Sequence, residues 1–277
     1  MLHADPNTIY ENKSLGTWSS TTDVDNFFNT YNAENGWDGL KLGNYVTIQD
    51  GTTTGYNNWM IVGFDIEHNQ TAADGTLYDN GYGICMIPEL YLYDGTWNDT
   101  ATLEGGYINS AIHNKLNSTI ANKLKTVLGD HLVLRNVLLS NGYATQGTKY
   151  VYSYATGYTW TTAYLTLLSL KQCVTDTFSD TGLSYKNIYD VGEANYTLPY
   201  FKYYNSTLSN PKGSWSGRSG YKKSYYLRNI SYSSGTTYTV GITMSDELYV
   251  NSSMQVYNSG SSSSWLYGCI RPMIYIR

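Results

Sequence analysis

One stretch of the chain carries a sustained helical period, whereas short strand-like segments occupy most of the rest. Between Asn109 and Leu134, apolar residues recur every four positions until Gly129 supplies a stop. These residues are Ile112, Leu116, Ile120, Leu124 and Leu128. The neighbouring segments are short, apolar or alternating, and they end at turn-forming residues. The pattern predicts an α+β fold with mostly antiparallel strands.

The remaining elements are predicted from shorter patterns. Strands are expected at Tyr45–Ile48, Asn58–Phe64, Gly83–Pro88 and Asn136–Ser140, and a closing buried strand at Gly268–Ile276. A short helical pattern follows Ser20, with Val24, Phe27, Phe28 and Tyr31 at near-helical spacing. Leu165 and Leu168 favour a second main helix over Thr162–Lys171. The C-terminal third has the texture of several short strands.

The composition excludes several classes of protein and of partner. The 277 residues include 30 Tyr, but only 17 Lys+Arg and 22 Asp+Glu. Disordered chains are rich in charge and poor in aromatic residues, and coiled coils need Ala, Glu, Lys and Leu in bulk, so both classes are excluded. The net charge of -5 argues against a nucleic-acid partner, which requires a basic face.

The N-terminal 39 residues are polar, and the strand pattern begins at Leu40. We expect residues 1–39 to form an arm for attachment or oligomerisation, or to pack on the domain formed by residues 40–277. Met1–Asp5 lack the basic start and apolar run of a signal peptide. No apolar stretch approaches the ~18 residues that span a membrane, so we expect no membrane insertion. We expect the chain to be synthesised in a cytoplasm. Three widely spaced cysteines, Cys85, Cys173 and Cys269, are predicted to be buried thiols.

Motifs for catalysis or metal binding are weak in this sequence. His113 and His131 are expected on the exposed side of the long helix, and no histidine pair has metal-ligand spacing. Trp97-Asn98-Asp99 matches a triplet of calcium-dependent C-type lectins, but the upstream partner triplets are missing, so we interpret it as a coincidence. Nothing singles out a carboxylate pair for glycoside cleavage. We therefore predict no catalytic residues, metal or cofactor.

The C-terminal third has the composition of a binding surface. From Tyr221 to Tyr267 there are eight Tyr and twelve Ser, but only two acidic residues. Tyr offers a large amphipathic contact area, and Ser, Gly and Asn offer adaptable hydrogen bonds, as in antibody loops. Tyr also has good strand propensity, so these residues could equally fill exposed strand faces. A basic cluster favours an acidic partner, and it comprises Arg218, Lys222, Lys223 and Arg228.

Several motifs resemble a C-type-lectin-like domain of gut bacteria and their phages. Tyr225–Asn229 resembles its Trp-Trp-Leu-Arg-Ser segment, and Gly268–Ile276 resembles its closing Gly-Val-Arg-Pro-Ala strand. The order of three weaker parts also fits: a Leu-Gly-x-Tyr opening at Leu42–Tyr45, a strand at Trp59–Val62, and a helix introduced by Gly105-Gly106-Tyr107. The resemblance covers roughly Leu40 to Arg277. It departs from the family where Asn229-Ile230 replaces the usual Ser-Pro.

The resemblance implies a ligand-binding face near the C-terminus. Members of the group are similar to the variable proteins of diversity-generating retroelements, whose diversified codons accumulate Asn, Tyr and Ser, and residues 215–267 have that texture. The ligand-binding residues implied are Tyr225, Asn229, Ser231, Tyr232, Tyr238, Tyr249, Asn251, Tyr257, Asn258 and Trp265. Leu227, Ile270, Met273 and Ile274 would hold the scaffold, and Arg271 would satisfy buried carbonyls.

Three functions follow from these observations. The first is a phage receptor-binding or adhesion protein in the tail or fibre, which binds a bacterial surface protein or glycan. We expect such a protein to be a homo-oligomer, with a trimer as one arrangement, that contacts other virion proteins through the arm. The second is a capsid or tail structural protein without a ligand. The third, and least favoured, is a glycan-acting enzyme.

Overall fold

A mixed six-stranded sheet forms the centre of the fold. The computed structural model describes residues 5–50, 57–72, 74–89, 91–95, 97–98, 105–141, 158–173, 196–202, 225–233, 236–242, 256–257 and 268–277. The sheet contains β1 (Ser14–Trp18), β2 (Tyr45–Ile48), β3 (Asn58–Phe64), β6 (Ile84–Pro88), β10 (Thr166–Leu167) and β15 (Pro272–Ile276). Their order is β1-β2-β3-β6-β15-β10, and all pairs are antiparallel except β1–β2. The predicted α+β class and antiparallel character are confirmed.

A second sheet of five strands lies beside the first. It contains β7 (Tyr93–Gly95), β11 (Tyr225–Ser233), β12 (Thr236–Ile242), β13 (Val256–Tyr257) and β14 (Gly268–Ile270), in the order β13-β12-β11-β14-β7. Two hairpin-like pairs complete the strands, β4 (Gln70–Thr71) with β5 (Leu77–Tyr78) and β8 (Arg135–Ser140) with β9 (Tyr158–Ala163). For β11, β12 and β13 the structure describes the backbone pairing, and of their side chains it describes those of Leu227 and Arg228.

The long helix lies where its apolar period predicts it. α2 (Ala111–Lys115), a π-helical turn (Leu116–Ile120) and α3 (Ala121–Leu128) follow one another without interruption. The five apolar residues that define the period are all buried. Gly129 ends the helix with φ 54°, a conformation that favours glycine. None of the described helices is long and apolar enough to span a membrane.

The predicted helix over Thr162–Lys171 is wrong. The segment instead forms the end of β9, then β10, and only a short helix α4 (Leu170–Cys173) at its end. β9 pairs residue by residue with β8, from Arg135–Ala163 to Ser140–Tyr158. A short apolar run does not distinguish a buried helix from a buried strand, and here the partner strand determines the outcome.

The closing segment is divided between the two sheets. Gly268–Ile270 pairs with β7 and β11, whereas Pro272–Ile276 lies between β6 and β10. The single closing strand of the sequence prediction is therefore two strands, with Arg271 at the junction. Pro272 has no N–H to donate, which is compatible with a change of pairing at this point. All five residues of β15 are buried, which places this strand in the core.

Residues 5–39 pack on the rest of the chain. β1 pairs in parallel with β2, so the first sheet crosses the boundary that we predict at Leu40. Helix α1 (Thr21–Thr30) confirms the short helical pattern, and it buries Val24 and Phe27. Asp23 receives hydrogen bonds from the backbone N–H groups of Ser19 (2.8 Å) and Ser20 (3.0 Å), and these bonds lower the pKa of its carboxyl. Such a carboxylate stabilises the start of a helix.

The backbone conformation and close packing at position 43 explain the glycine of the Leu42–Tyr45 motif. Its φ is +83°, and a Cβ at this position would overlap the Tyr10 ring. We therefore expect Gly43→Ala to lower the free energy of unfolding by about 1–3 kcal/mol, measured by urea denaturation. Gly75→Ala is the matched control, because Gly75 has φ +84° and open space around it. Equal losses in the two variants would show that overlap with Tyr10 contributes nothing.

Candidate functional site

The predicted binding residues that the structure describes lie on three adjacent strands. On β11 and β12, Ser231 pairs with Tyr238, and the next pair is Tyr232 with Thr237. Tyr257 of β13 pairs with Thr239, which itself pairs with Ile230 of β11. We call the paired segment Ile230–Ser233, Thr236–Thr239 and Tyr257 the ribbon. It brings together four of the predicted residues, Ser231, Tyr232, Tyr238 and Tyr257.

The other predicted residues fall elsewhere. Tyr225 lies at the opposite end of β11, where it pairs with Ile242 and with Cys269 of β14. Asn229 lies in an irregular part of β11, before the ribbon. Four more lie outside the described residues: Tyr249, Asn251, Asn258 and Trp265. The described part of the predicted face therefore comprises the four ribbon residues, Asn229 beside them, and Tyr225 at the far end of β11.

A bulge separates the ribbon from the start of β11. Between the pairs Tyr226–Gly241 and Ile230–Thr239, three residues of β11 oppose one residue of β12. Leu227 and Arg228 lie in this bulge, and both are buried although they are adjacent. The bulge interrupts the regular alternation of side chains along β11, so these two neighbours are not constrained to opposite faces of the sheet. The predicted scaffold role of Leu227 agrees with this position.

Arg228 fixes the bulge to the central sheet. Its backbone N–H donates to Leu168 O at 2.9 Å, and its Nη1 donates to Thr166 Oγ1 and to Leu167 O, both at 3.2 Å. Arg228 is only 3% exposed, so the interpretation of this residue as part of a basic surface cluster is wrong. Arg218, Lys222 and Lys223 lie outside the described residues. Arg228, the last residue of the predicted basic cluster, is therefore an internal anchor of β11.

The anchor continues into a buried ion pair. Arg135 Nη1 donates to Glu67 Oε1 at 2.8 Å, and Arg135 Nη2 donates to Thr166 Oγ1 at 3.0 Å, so both arginines share one hydroxyl. Burial disfavours the charge of Arg135, but the Glu67 carboxylate and neighbouring groups outweigh this effect and raise its pKa. Paired charges of this kind are stable in a core only when their hydrogen bonds are made.

Further polar groups donate hydrogen bonds to Glu67. Its Oε1 also accepts from the Tyr196 hydroxyl at 3.0 Å, and its Oε2 accepts from Asn80 Nδ2 at 2.9 Å. Asn80 Oδ1 in turn accepts from the backbone N–H of Asn136 at 2.8 Å. Gln172 Nε2 donates to the Tyr196 hydroxyl at 2.9 Å. We call Glu67, Asn80, Arg135, Thr166, Tyr196 and Arg228 the polar core.

Sequence reasoning missed the polar core. The one signal in the sequence was a lone arginine, Arg135, between Leu134 and the strand predicted from Asn136. Its partner Glu67 is 68 residues away along the chain, and only the pairing of distant strands brings the two together. Burial and then the Glu67 charge also raise the pKa of the nearby Cys85 thiol, which keeps it protonated. Cys85 and Cys173 are buried thiols, as predicted, and the side chain of Cys269 lies outside the described residues.

Arg271 has the role that the sequence analysis assigns to it. Its Nε donates to Pro88 O at 2.8 Å, and its Nη2 donates to Glu89 O at 3.0 Å. Pro88 is the last residue of β6, and Glu89 follows it directly. Ile270, Met273 and Ile274, the other predicted scaffold residues, are fully buried. The closing motif therefore serves the scaffold of the candidate site.

Both helix histidines occupy positions that differ from the prediction. His113 is 6% exposed and packs edge-on against Tyr107 at a centroid distance of 4.9 Å, so its predicted exposure is wrong. Burial and then the charge of Arg228 lower the pKa of His113 to about 4. His131 lies beyond the helix, in the turn Gly129–His131, with Nε2 2.8 Å from Asp25 Oδ1 and Nδ1 2.7 Å from Arg277 O.

The apparent lectin triplet has a structural use where it is described. Trp97 is buried against Tyr107, and Asn98 Oδ1 accepts from the backbone N–H of Ala111 at 2.7 Å, at the start of α2. Asp99 lies outside the described residues. Within the described parts of the chain, no group of three or more His, Cys, Asp or Glu could hold a metal ion.

No protein-family model, curated protein or solved structure matches this chain. The resemblance to C-type-lectin-like domains accordingly rests on the sequence motifs given above.

Proposed function

We propose that this chain is a receptor-binding or adhesion protein of a phage virion, with a C-type-lectin-like domain that presents the ribbon to a ligand on a bacterial surface. The observation that carries the proposal is the attachment of the ribbon to the scaffold. A bulge pinned by Leu227 and Arg228 fixes one end of a Tyr- and Ser-rich set of strands to a buried polar core. Binding groups on rigid elements lose less freedom when they bind.

The chemistry of the ribbon supports a surface protein or glycan as the ligand. Tyr rings provide broad contact with few torsions, and their hydroxyls, like those of Ser and Thr, can donate and accept hydrogen bonds. Affinity per site is expected to be modest, so multivalent display on a homo-oligomer would strengthen attachment. Under this proposal the protein belongs to the phage tail or fibre, and residues 1–39 connect it to other virion proteins.

The proposal predicts that the tyrosines of the face carry the binding energy. We expect the triple variant Tyr232→Ala, Tyr249→Ala and Tyr257→Ala to bind host cells at least tenfold more weakly than the wild type, because aromatic hot spots contribute about 2 kcal/mol or more each. The measurement is a titration of purified, fluorescently labelled protein on a panel of bacterial strains, with circular dichroism to verify folding.

Tyr82→Ala is the matched control. Tyr82 is 54% exposed and lies just before β6, outside the ribbon, so its loss should leave cell binding unchanged. Equal binding by the triple variant and the wild type would contradict the assignment of the site. If the wild type bound no strain while assembling into virions, the alternative of a structural capsid or tail protein would be favoured.

A further inference from the structure

A small cavity adjoins the polar core. What it binds does not depend on the proposed function of the ribbon. Its volume is about 10 Å³, which is room for about one water-sized particle. The walls include Glu67, Tyr78, Arg135, Trp160, Tyr196 and Arg228. The cavity thus lies where β8, β9 and the bulge of β11 meet.

The Nε–H of Arg135 indicates that the cavity holds a bound molecule or ion. Arg135 is 0% exposed, and its two terminal nitrogens donate to Glu67 and Thr166. Within the described residues its Nε has no hydrogen-bond partner. Buried polar groups of folded proteins are almost always satisfied, and an unsatisfied donor on a charged group is costly. This donor therefore requires an acceptor that the described side chains do not supply.

The carboxylate in the cavity wall has little acceptor capacity left. Glu67 accepts from Arg135, Tyr196 and Asn80, which uses three of the roughly four hydrogen bonds that a carboxylate can accept. A water molecule would satisfy Arg135 Nε but would bring two O–H donors of its own, which need acceptors. An anion accepts hydrogen bonds and donates none, so it needs no further acceptor in the wall.

The charges and the phenol in the wall also favour an anion. Two guanidinium groups and one carboxylate line the cavity within the described part of the chain. Burial raises the pKa of Tyr78, so its hydroxyl remains protonated and able to donate. A site rich in N–H and O–H donors with positive charges nearby stabilises a small negative ion.

We propose that this cavity binds one monovalent halide, chloride under ordinary conditions, with Arg135 Nε as a ligand and Tyr78 as a second donor. The ion would complete the hydrogen bonding of the polar core. Because the polar core anchors β11, chloride would stabilise the scaffold on which the ribbon is built.

The wild-type protein tests the proposal in two ways. In crystals grown in sodium bromide, we expect an anomalous difference peak in the cavity, within about 3.5 Å of Arg135 Nε. In solution, the melting temperature should rise by about 2–4 °C for each tenfold increase in chloride above the dissociation constant, with sodium gluconate holding the ionic strength constant. Gluconate is too large for a cavity of this size.

Two variants distinguish this site from a general salt effect. Tyr78→Phe keeps the ring and removes the donor, so we expect the chloride midpoint to rise at least threefold. Tyr82→Phe, the same change at an exposed tyrosine, should keep the wild-type chloride response. A water peak without bromide signal, a melting temperature independent of chloride, or equal responses of Tyr78→Phe and Tyr82→Phe would overturn the proposal. Cell binding by the ribbon is measured separately, so either proposal can fail without the other.

Discussion

Replacing Glu67 by glutamine is expected to lower the free energy of unfolding by about 3–5 kcal/mol, because it removes one partner of a buried ion pair. Arg135 would keep its charge in the core without the carboxylate that now lies 2.8 Å away. The new amide group would also meet Asn80 Nδ2, where one donor would face another. Urea denaturation followed by circular dichroism would measure the loss.

The exposed pair Glu11–Lys41 provides the control for this substitution. Its atoms are 3.5 Å apart and both side chains are more than a third exposed, so Glu11→Gln should leave the unfolding midpoint nearly unchanged. The double variant Glu67→Gln with Arg135→Met should recover part of the loss, since it also removes the uncompensated charge. A loss in Glu67→Gln as small as that in Glu11→Gln would contradict the energetic role of the polar core.

Acidification is expected to destabilise the protein through His113. The pKa of this residue falls from 6.5 to about 4 on folding, with burial as the main cause and the Arg228 charge as the second. Between these two values the unfolded chain binds more protons than the folded chain. Stability is therefore complete above pH 6.5 and declines as the pH falls towards 4. The gap between the two pKa values corresponds to about 3 kcal/mol.

A variant without this imidazole would isolate its contribution. His113→Gln removes the titrating ring, so its free energy of unfolding should depend less steeply on pH than that of the wild type between pH 6.5 and 4. Urea denaturation of the variant and of the wild type at half-unit pH steps would measure both slopes. Identical slopes for His113→Gln and the wild type would contradict the prediction.

Local patterns were sufficient for several elements of the fold. The period from Ile112 to Leu128 predicts one helix, because each apolar residue lies on the same helical face, and that face is buried. The strands at Tyr45–Ile48 and Asn58–Phe64 have the bounds that the sequence predicts. Their burial follows from residues within the element itself, so no distant partner is needed to predict them.

Errors arose where a partner strand or neighbouring helix decides the outcome. Thr162–Lys171 has leucines at helical spacing, yet its first two residues pair with β8 as a strand. His113 is polar and was expected at the surface, but Tyr107 and the Arg228 region enclose it. Gly268–Ile276 is one apolar run, but Arg271 binds the carbonyls at the end of β6 where the run changes sheets.

The sequence by itself determined the α+β class, the long helix, and the Tyr- and Ser-rich composition from Tyr221 to Tyr267, because these depend on residue type and local period. Only the tertiary structure revealed the polar core and the bulge at Leu227 and Arg228. The physical reason is that an ion pair such as Glu67–Arg135 is stable in the interior only when strands far apart in sequence bring its partners within hydrogen-bonding distance. Tertiary packing therefore determines how the proposed binding face is anchored, whereas the residue types of that face can be taken from the sequence alone.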